Sequence, residues 1–309
     1  MELSLCLMEQ LAQLFLMLLV GIILVRCRIL KDSDSKVISL FVLYAVTPCA
    51  IINSFSIECT KETLAGLGMA LAAGALVQCL YIVLTTLLAK VFHFNGIEKA
   101  TLIYPNCGNL VIPLAGAVLG PEWVIYTSGY MATQTVLMWT HCRSIVSGRK
   151  EYDLKNIFLN VGMISVLAGF LLFVFQIRLP DTLTAVSEKL GDMMGPLSMI
   201  VIGMLIGGMK LKNVFERPRA YFIAALRLLI LPFIAVFLIK VSGAGQLLPD
   251  GDQILMITTM AACAPAAANI TQFAQLYDTD SAYAGVLNVI TVLFSIVTMP
   301  MVIMVYQLL

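Results

Sequence analysis

One segment of the chain, residues 104–114, mixes side-chain amides with helix breakers inside an otherwise apolar run. Asn106 and Asn109 enclose Gly108, and Pro113 follows four residues after the second asparagine. Proline removes a backbone donor and clashes with the preceding turn, whereas glycine and asparagine tolerate left-handed backbone. Pro113 also fits the first position of a helix. We therefore expect a broken helix here, with Pro113 opening its second half.

A second segment, residues 261–272, has the same character. Pro265 lies among alanines, which would let another backbone approach closely, and Asn269 follows four residues later. Pro265 could also open a half-helix. The N-terminus of a helix carries about half a positive charge and binds carboxylate or phosphate groups. Together with the three asparagine amides, two such N-termini could hold an anion. Ordinary kinks, with asparagines bonding freed carbonyls, are the alternative.

The composition identifies an integral membrane protein. Of 309 residues, 60% are hydrophobic and 12% are charged, and the mean hydropathy is +0.96. If each spanning helix takes about 20 apolar residues, ten helices leave no room for a sizeable soluble domain. A net charge of +1 argues against nucleic acid as a partner. The candidate spans are residues 5–25, 37–57, 64–90, 99–119, 122–146, 157–177, 190–209, 220–240, 253–275 and 282–307.

Prolines interrupt the predicted spans at matching positions in the two halves of the chain. Pro48 and Pro196 interrupt the second and seventh spans, 148 residues apart, and Pro113 and Pro265 interrupt the fourth and ninth, 152 residues apart. A five-helix unit repeated once must be inserted upside down, and inverted repeats with matching broken helices are typical of secondary transporters. We expect an all-α polytopic protein whose broken fourth and ninth spans cross at the bilayer midplane. The two predicted repeats are residues 1–150 and 151–309.

Lysine and arginine predict the orientation, because cytoplasmic loops retain them. With the N-terminus outside, the outer segments contain only Lys61, Arg178, Lys189 and Lys240. The cytoplasmic connections then contain Arg26, Arg28, Lys31, Lys36, Lys90, Lys99, Arg143, Arg149, Lys150, Lys155, Lys210, Lys212, Arg217 and Arg219. Both termini are therefore expected outside the plasma or inner membrane. Arg227 lies within the eighth span, where it could reach the membrane surface, clamp a broken helix end or attract an anion.

Several kinds of chemistry are missing from the spans. Neither broken segment contains Asp or Glu, which favours uniport or exchange over a mechanism that needs a titratable carboxylate. The cysteines occur singly, without zinc spacing, and no H-E-x-x-H or G-x-S-x-G pattern is present. No catalytic residue, metal site or cofactor is expected. His93 and His141 are interpreted as interface residues rather than proton relays.

Residues 106–114, Asn-Cys-Gly-Asn-Leu-Val-Ile-Pro-Leu, resemble the N-x-G-[FN]-x-G-x-P-L segment of the auxin efflux carrier family. This PIN-like family of membrane transporters includes bacterial organic-acid permeases. Residues 264–269, followed by 274–277, Asp280 and 298–300, are similar to the family's C-terminal pattern. Val111 departs from the glycine that is usual in bacterial members, and its bulk could narrow the pocket or stiffen the unwound turn.

The resemblance implies an inverted five-plus-five fold with a scaffold of spans one, two, six and seven and a mobile transport domain formed by the rest. It also implies a homodimer in membrane lipid, elevator-type alternating access, and Asn106 and Asn269 as substrate-facing residues. The expected function is secondary transport of small organic anions, such as mono- or dicarboxylates or auxin-like acids. The alternatives are a sodium- or proton-coupled symporter, or a membrane ligand sensor or channel with the same fold.

Overall fold

The computed structural model describes residues 2–149, Leu159, 161–209 and 216–309, which form helices joined by short connections. Within these residues the β-type pairing is a single isolated bridge between Pro105 and Ala266. The helices are α1 (Glu2–Arg26), α2 (Asp32–Ser54), α3 (Lys61–Phe92), α4 (Gly96–Ile103), α5 (107–119), α6 (125–147), α7 (Val161–Val174), α8 (Asp181–Gly208), α9 (Pro218–Val241), α10 (Gly251–Cys263), α11 (Asn269–Leu276) and α12 (Ser281–Leu308).

Five of these helices, α2, α3, α8, α9 and α12, are long and apolar enough to cross a membrane, and α7 and part of α1 are shorter apolar helices. The described residues are therefore helical, as predicted, and consistent with a polytopic membrane protein. The predicted fourth and ninth spans each consist of two helices, α4 with α5 and α10 with α11. Ten spans and the inverted repeat stay predictions. The predicted repeat boundary and four cytoplasmic cations, Lys150, Lys155, Lys210 and Lys212, lie outside the described residues.

The helices pack as two groups. Helices α1, α2, α7 and α8 pack on one another, and α3, α4, α6, α9, α10, α11 and α12 pack around the bridge between Pro105 and Ala266. The two groups meet chiefly where α1 and α8 contact α5 and α12. The bridge is therefore part of the second group and faces the first.

Glycines bring the backbones of α1 and α8 into direct contact. A Cβ atom built on Gly203 would overlap the carbonyl oxygen of Leu18, and one built on Gly21 would overlap that of Ile200. Such close approach between apolar helices gains van der Waals energy that larger residues would prevent. At one end of the pair, Arg26 donates a 2.9 Å hydrogen bond to the carbonyl of Met209. We infer that α1 and α8 form a stiff unit.

Among the described residues, four helices contain a π-helical turn, in which hydrogen bonds span five residues instead of four and one residue is added to the turn. These turns occur in α2 at Val42–Val46, in α5 at Cys107–Val111, in α6 at Met138–Cys142 and in α9 at Leu226–Ile230. Such turns are rare and occur frequently at functional sites. Three of the four lie in helices that adjoin or bond to the bridged segments, namely α5, which follows Asn106, and α6 and α9, which donate to Pro105 and Ala264.

Replacement of Gly203 by leucine is expected to separate α1 from α8. Overpacking costs about 1–3 kcal/mol when neighbours can shift, and here the obstacle is backbone. The melting temperature of the purified protein in detergent should fall clearly. Gly68→Leu is the matched control, since no atom lies within 4 Å of a Cβ at that exposed position of α3. Equal melting temperatures of the two variants would contradict this account of the interface.

Candidate functional site

The broken segments cross and pair with each other. After α4 the chain is extended at Tyr104 (φ −104°, ψ 110°), and after α10 it is extended at Ala264 (φ −63°, ψ 154°). The amide of Asn106 donates to the carbonyl of Pro265 at 2.7 Å, and the amide of Ala267 donates to the carbonyl of Tyr104 at 3.0 Å. This antiparallel pair of bonds joins the two breaks that the sequence predicts to meet.

Side chains of α6 and α12 complete the pairing of the bridged residues. Gln134 of α6 donates from Nε2 to the carbonyl of Pro105 at 2.6 Å, and Asn288 of α12 donates from Nδ2 to the carbonyl of Ala266 at 3.0 Å. The amide of Ala266 donates to Thr291 Oγ1 at 3.1 Å. Proline has no amide hydrogen, so Pro105 needs no such acceptor. One amide side chain therefore supports each side of the crossing.

Arg227 clamps the ends of the two half-helices that lead into the crossing. Its guanidinium is fully buried and donates to the carbonyl of Leu102, near the end of α4, at 3.2 Å and to that of Ala264, just after α10, at 2.8 Å. It also lies 5.5 Å from the ring centre of Tyr81, whose hydroxyl donates to the carbonyl of Ala262. A cation suits this place because the C-terminus of a helix carries partial negative charge. Of the three roles left open for Arg227, these contacts favour the clamp.

Two further cations fasten the ends of α9 to the same half-helices. Arg219 forms an ion pair with Glu98 near the start of α4, with a second bond of 2.9 Å from Nη2 to Oε2. At the other end, Lys240 forms a 2.9 Å ion pair with Asp252 near the start of α10. Together with Arg227, these contacts hold α4 and α10 against one helix at both ends and in the middle.

The second half-helices begin elsewhere than predicted. Helix α5 begins at Cys107, six residues before Pro113, and α11 begins at Asn269, four residues after Pro265. Pro113 continues a helix because the π-helical turn before it widens the backbone that proline would otherwise clash with. Pro265 lies instead in the extended segment, where its carbonyl accepts the bond from Asn106. Pro113 therefore begins the α-helical part of α5, Ile112–Leu119, after the π-helical turn, whereas Pro265 does not open α11; two half-helix N-termini do follow the crossing.

A narrow cavity of about 20 Å³ lies between the crossing and the first group of helices. Asn106 and Pro265 line it from the crossing, and Ser295 lines it from α12. The rest of its wall is apolar and comes from α1, α5, α8 and α12: Leu14, Phe15, Leu18, Leu110, Met199, Ile202, Val292 and Ile296. This volume holds about one water molecule.

The other predicted site residues whose side chains the structure describes do not line the cavity. Asn269 is half-buried at the first position of α11 and is not in the wall of the cavity. Asn109 lies in the first turn of α5, and its side chain is outside the described part of the structure. Gly108 lies beside it, where a Cβ would make only an ordinary contact with Met131. In the described residues, no group of three or more His, Cys, Asp or Glu could hold a metal ion.

Sequence reasoning missed the supporting residues Gln134, Asn288, Thr291 and Tyr81. Each lies in an uninterrupted helix, where a single polar side chain has no distinctive spacing. One signal was present, because the fifth and tenth predicted spans are less uniformly apolar than most others. Polar residues in a span need internal partners, and the freed carbonyls of the broken segments are such partners.

A comparison with protein-family models finds the model described as a membrane transport protein. It matches residues 6–158 and again residues 150–303, which together cover almost the whole chain. No curated protein matches the sequence.

Arg227→Met is expected to destabilise the crossing. Methionine keeps much of the side-chain volume but leaves the carbonyls of Leu102 and Ala264 without their donor, at a cost of about 1–3 kcal/mol each. The melting temperature in detergent should fall by several degrees. Arg178→Met, at an exposed arginine, is the control and should leave it unchanged. The clamp would be disproved if both variants melted like the unmodified protein.

Proposed function

Because the chain belongs to the membrane transport protein family that includes the auxin efflux carriers, we propose that it is a secondary transporter of small organic anions. The substrates are mono- or dicarboxylates or auxin-like acids, bound at the crossing of α4–α5 with α10–α11. The protein moves them across the membrane by an elevator-type alternating-access mechanism. It works as a multi-pass homodimer of the cell membrane, with both termini on the outer face.

The electrostatic asymmetry of the crossing is the observation that carries this proposal. Arg227 satisfies the negative ends of α4 and α10, whereas the N-termini of α5 and α11 have no acidic residue in their first turns. Residues 99–121 and 253–277 contain no Asp or Glu at all. The local potential is therefore positive without a free cationic side chain, and a carboxylate is the complementary ligand.

The side chain of Asn106 is suited to recognise that carboxylate. It is 7% exposed, and the residue that bears it is fixed by its own backbone bond to Pro265. An amide can donate to a carboxylate oxygen without the desolvation cost of a buried charge. Asn269, which opens α11, would add a second amide from the other side of the crossing.

Elevator movement is supported by where the cavity lies. Its walls belong to two groups of helices, and its volume of about 20 Å³ cannot hold an organic acid. Substrate entry therefore requires α1 and α8 to move relative to the crossing. The glycine contacts that join α1 to α8 and the three cations of α9 that join α4 to α10 favour movement of each group as a rigid body. Movement of one bundle against another as a rigid body is a general mode of secondary transport.

A thermal-stability panel on the purified protein tests the proposal. The ligands are malate, malonate, citrate, lactate and indole-3-acetate, with sodium chloride as the control. A ligand at 100 times its dissociation constant stabilises a protein by about 2.7 kcal/mol, which raises the melting temperature measurably. At least one acid is expected to do so, and Asn106→Ala and Asn269→Ala should abolish the shift and the transport of that acid into liposomes.

Asn53→Ala is the matched control. Asn53 lies in α2, away from the cavity, and accepts a bond from Ser187 of α8. This variant should bind the acid as the unmodified protein does. Unchanged binding and flux in both crossing variants would disprove the site, and a panel in which only sodium shifts the melting temperature would favour an ion-coupled transporter over simple anion transport.

A further inference from the structure

A histidine of α6 is bonded to the crossing through one tyrosine. His141 is half-buried in the π-helical turn of α6, and its Nδ1 lies 2.7 Å from the hydroxyl of Tyr104. Tyr104 is fully buried and lies in the extended segment, where its carbonyl accepts the amide of Ala267. The same hydroxyl lies 3.3 Å from the carbonyl of Leu137. The imidazole is thus one side chain away from the residues that pair α4–α5 with α10–α11.

This contact can be satisfied in both protonation states of the imidazole. When His141 is neutral with its hydrogen on Nε2, the hydroxyl of Tyr104 donates to Nδ1. When His141 binds a proton from solution at Nδ1, that nitrogen becomes a donor to the hydroxyl oxygen. The hydroxyl hydrogen then turns to the carbonyl of Leu137, which is within reach. Protonation therefore reverses the bond instead of breaking it.

The charges of the described residues around His141 supply no counterion for its protonated form. The positive charge of Lys99 in α4 interacts electrostatically with the imidazole of His141. Arg143, in the same helix as His141, contacts Tyr277, which follows α11. In the described part of the chain no carboxylate forms an ion pair with His141. Of the described carboxylates at this end of the second group, Glu98 is paired with Arg219 and Asp280 with Arg217, Glu216 has an interaction of its own, and Asp278 is exposed.

We propose that His141 takes up a proton when an organic anion binds at the crossing, so that the protein couples anion binding to pH through Tyr104. The bound carboxylate supplies the negative charge that the imidazolium lacks. By linkage, protonation strengthens anion binding by the same factor by which the anion strengthens proton binding. This inference rests on the proposed function and adds that anion binding is linked to the uptake of a proton. The proton is bound by His141, since neither broken segment contains a titratable carboxylate.

The test compares anion affinity at several pH values. The probe is whichever of malate, malonate, citrate, lactate and indole-3-acetate gives the largest thermal shift. Its dissociation constant is measured by calorimetry from pH 5.5 to pH 8. For the unmodified protein it is expected to rise about tenfold or more over this range, a typical coupling between linked sites. Calorimetry near pH 7 in buffers of different ionisation enthalpy should show proton uptake of up to about half a proton per anion, the maximum that a tenfold coupling allows.

His141→Asn keeps a hydrogen-bonding atom near the position of Nδ1 but cannot titrate in this range. The variant should bind the acid at all pH values with the affinity that the unmodified protein has at pH 8, apart from the titration of the acid itself. Tyr104→Phe removes only the hydroxyl that bonds to His141 Nδ1. It should also reduce the pH dependence of the dissociation constant of the acid. His93→Asn is the matched control, because His93 is exposed with φ 52°, a backbone conformation that asparagine tolerates. It should keep the full pH dependence.

Each result separates this inference from the proposed function. If the acid binds but His141→Asn has the same pH dependence as the unmodified protein, the inference is wrong and the anion site stands. If His141→Asn melts normally but binds no acid, His141 is a binding residue and not a proton-linked one, which also overturns the inference. If no acid of the panel binds the unmodified protein, the proposed function fails and the inference fails with it.

Discussion

A backbone that leaves its helix at membrane depth must find partners inside the protein, because lipid offers no hydrogen bonds. Most of this structure can be understood from that requirement. The extended segments around Pro105 and Ala266 bond to each other and to side chains from α6, α9 and α12. These helices are consequently fixed around the crossing. Helices α1 and α8, which supply none of the bonds described at the crossing, pack on each other and contact it only from one side.

A buried guanidinium is costly unless its donors are used. Arg227 uses two of its three nitrogens, Nη1 and Nη2, as donors to the carbonyl ends of two half-helices, with the ring of Tyr81 beside it, whereas its Nε has no hydrogen-bond partner among the described residues. The arrangement has an electrostatic result, since the charge of the arginine acts on the negative helix ends. The positive ends, at the start of α5 and α11, stay free to act on a ligand. For the anion transporter proposed above, a single cation would thus favour a negatively charged ligand without touching it.

The amino-acid sequence was enough to locate both breaks within a few residues, because Asn, Gly and Pro close together in an apolar run disfavour a continuous helix. It misplaced the start of the second half-helices. Proline is as compatible with a widened turn as with a first turn, and the choice depends on the neighbouring hydrogen bonds. The role of Arg227 stayed open for a related reason, since Leu102 and Ala264 are remote from it in the chain. The roles of Gln134 and Asn288 were missed for the same reason, because their partners Pro105 and Ala266 lie more than 20 residues away in the chain.

The π-helical turns in α6 and α9 also affect how relatives of this chain should be aligned. Each turn contains one residue more than an α-helical turn, so the residues beyond it are rotated by about 100° relative to a regular helix. A relative that lacks the extra residue would need a one-residue gap at 138–142 or 226–230 to bring equivalent faces into register. An alignment without gaps in transmembrane helices would assign the partners of His141 and Arg227 to the wrong face. Insertions in these helices are therefore informative about the site.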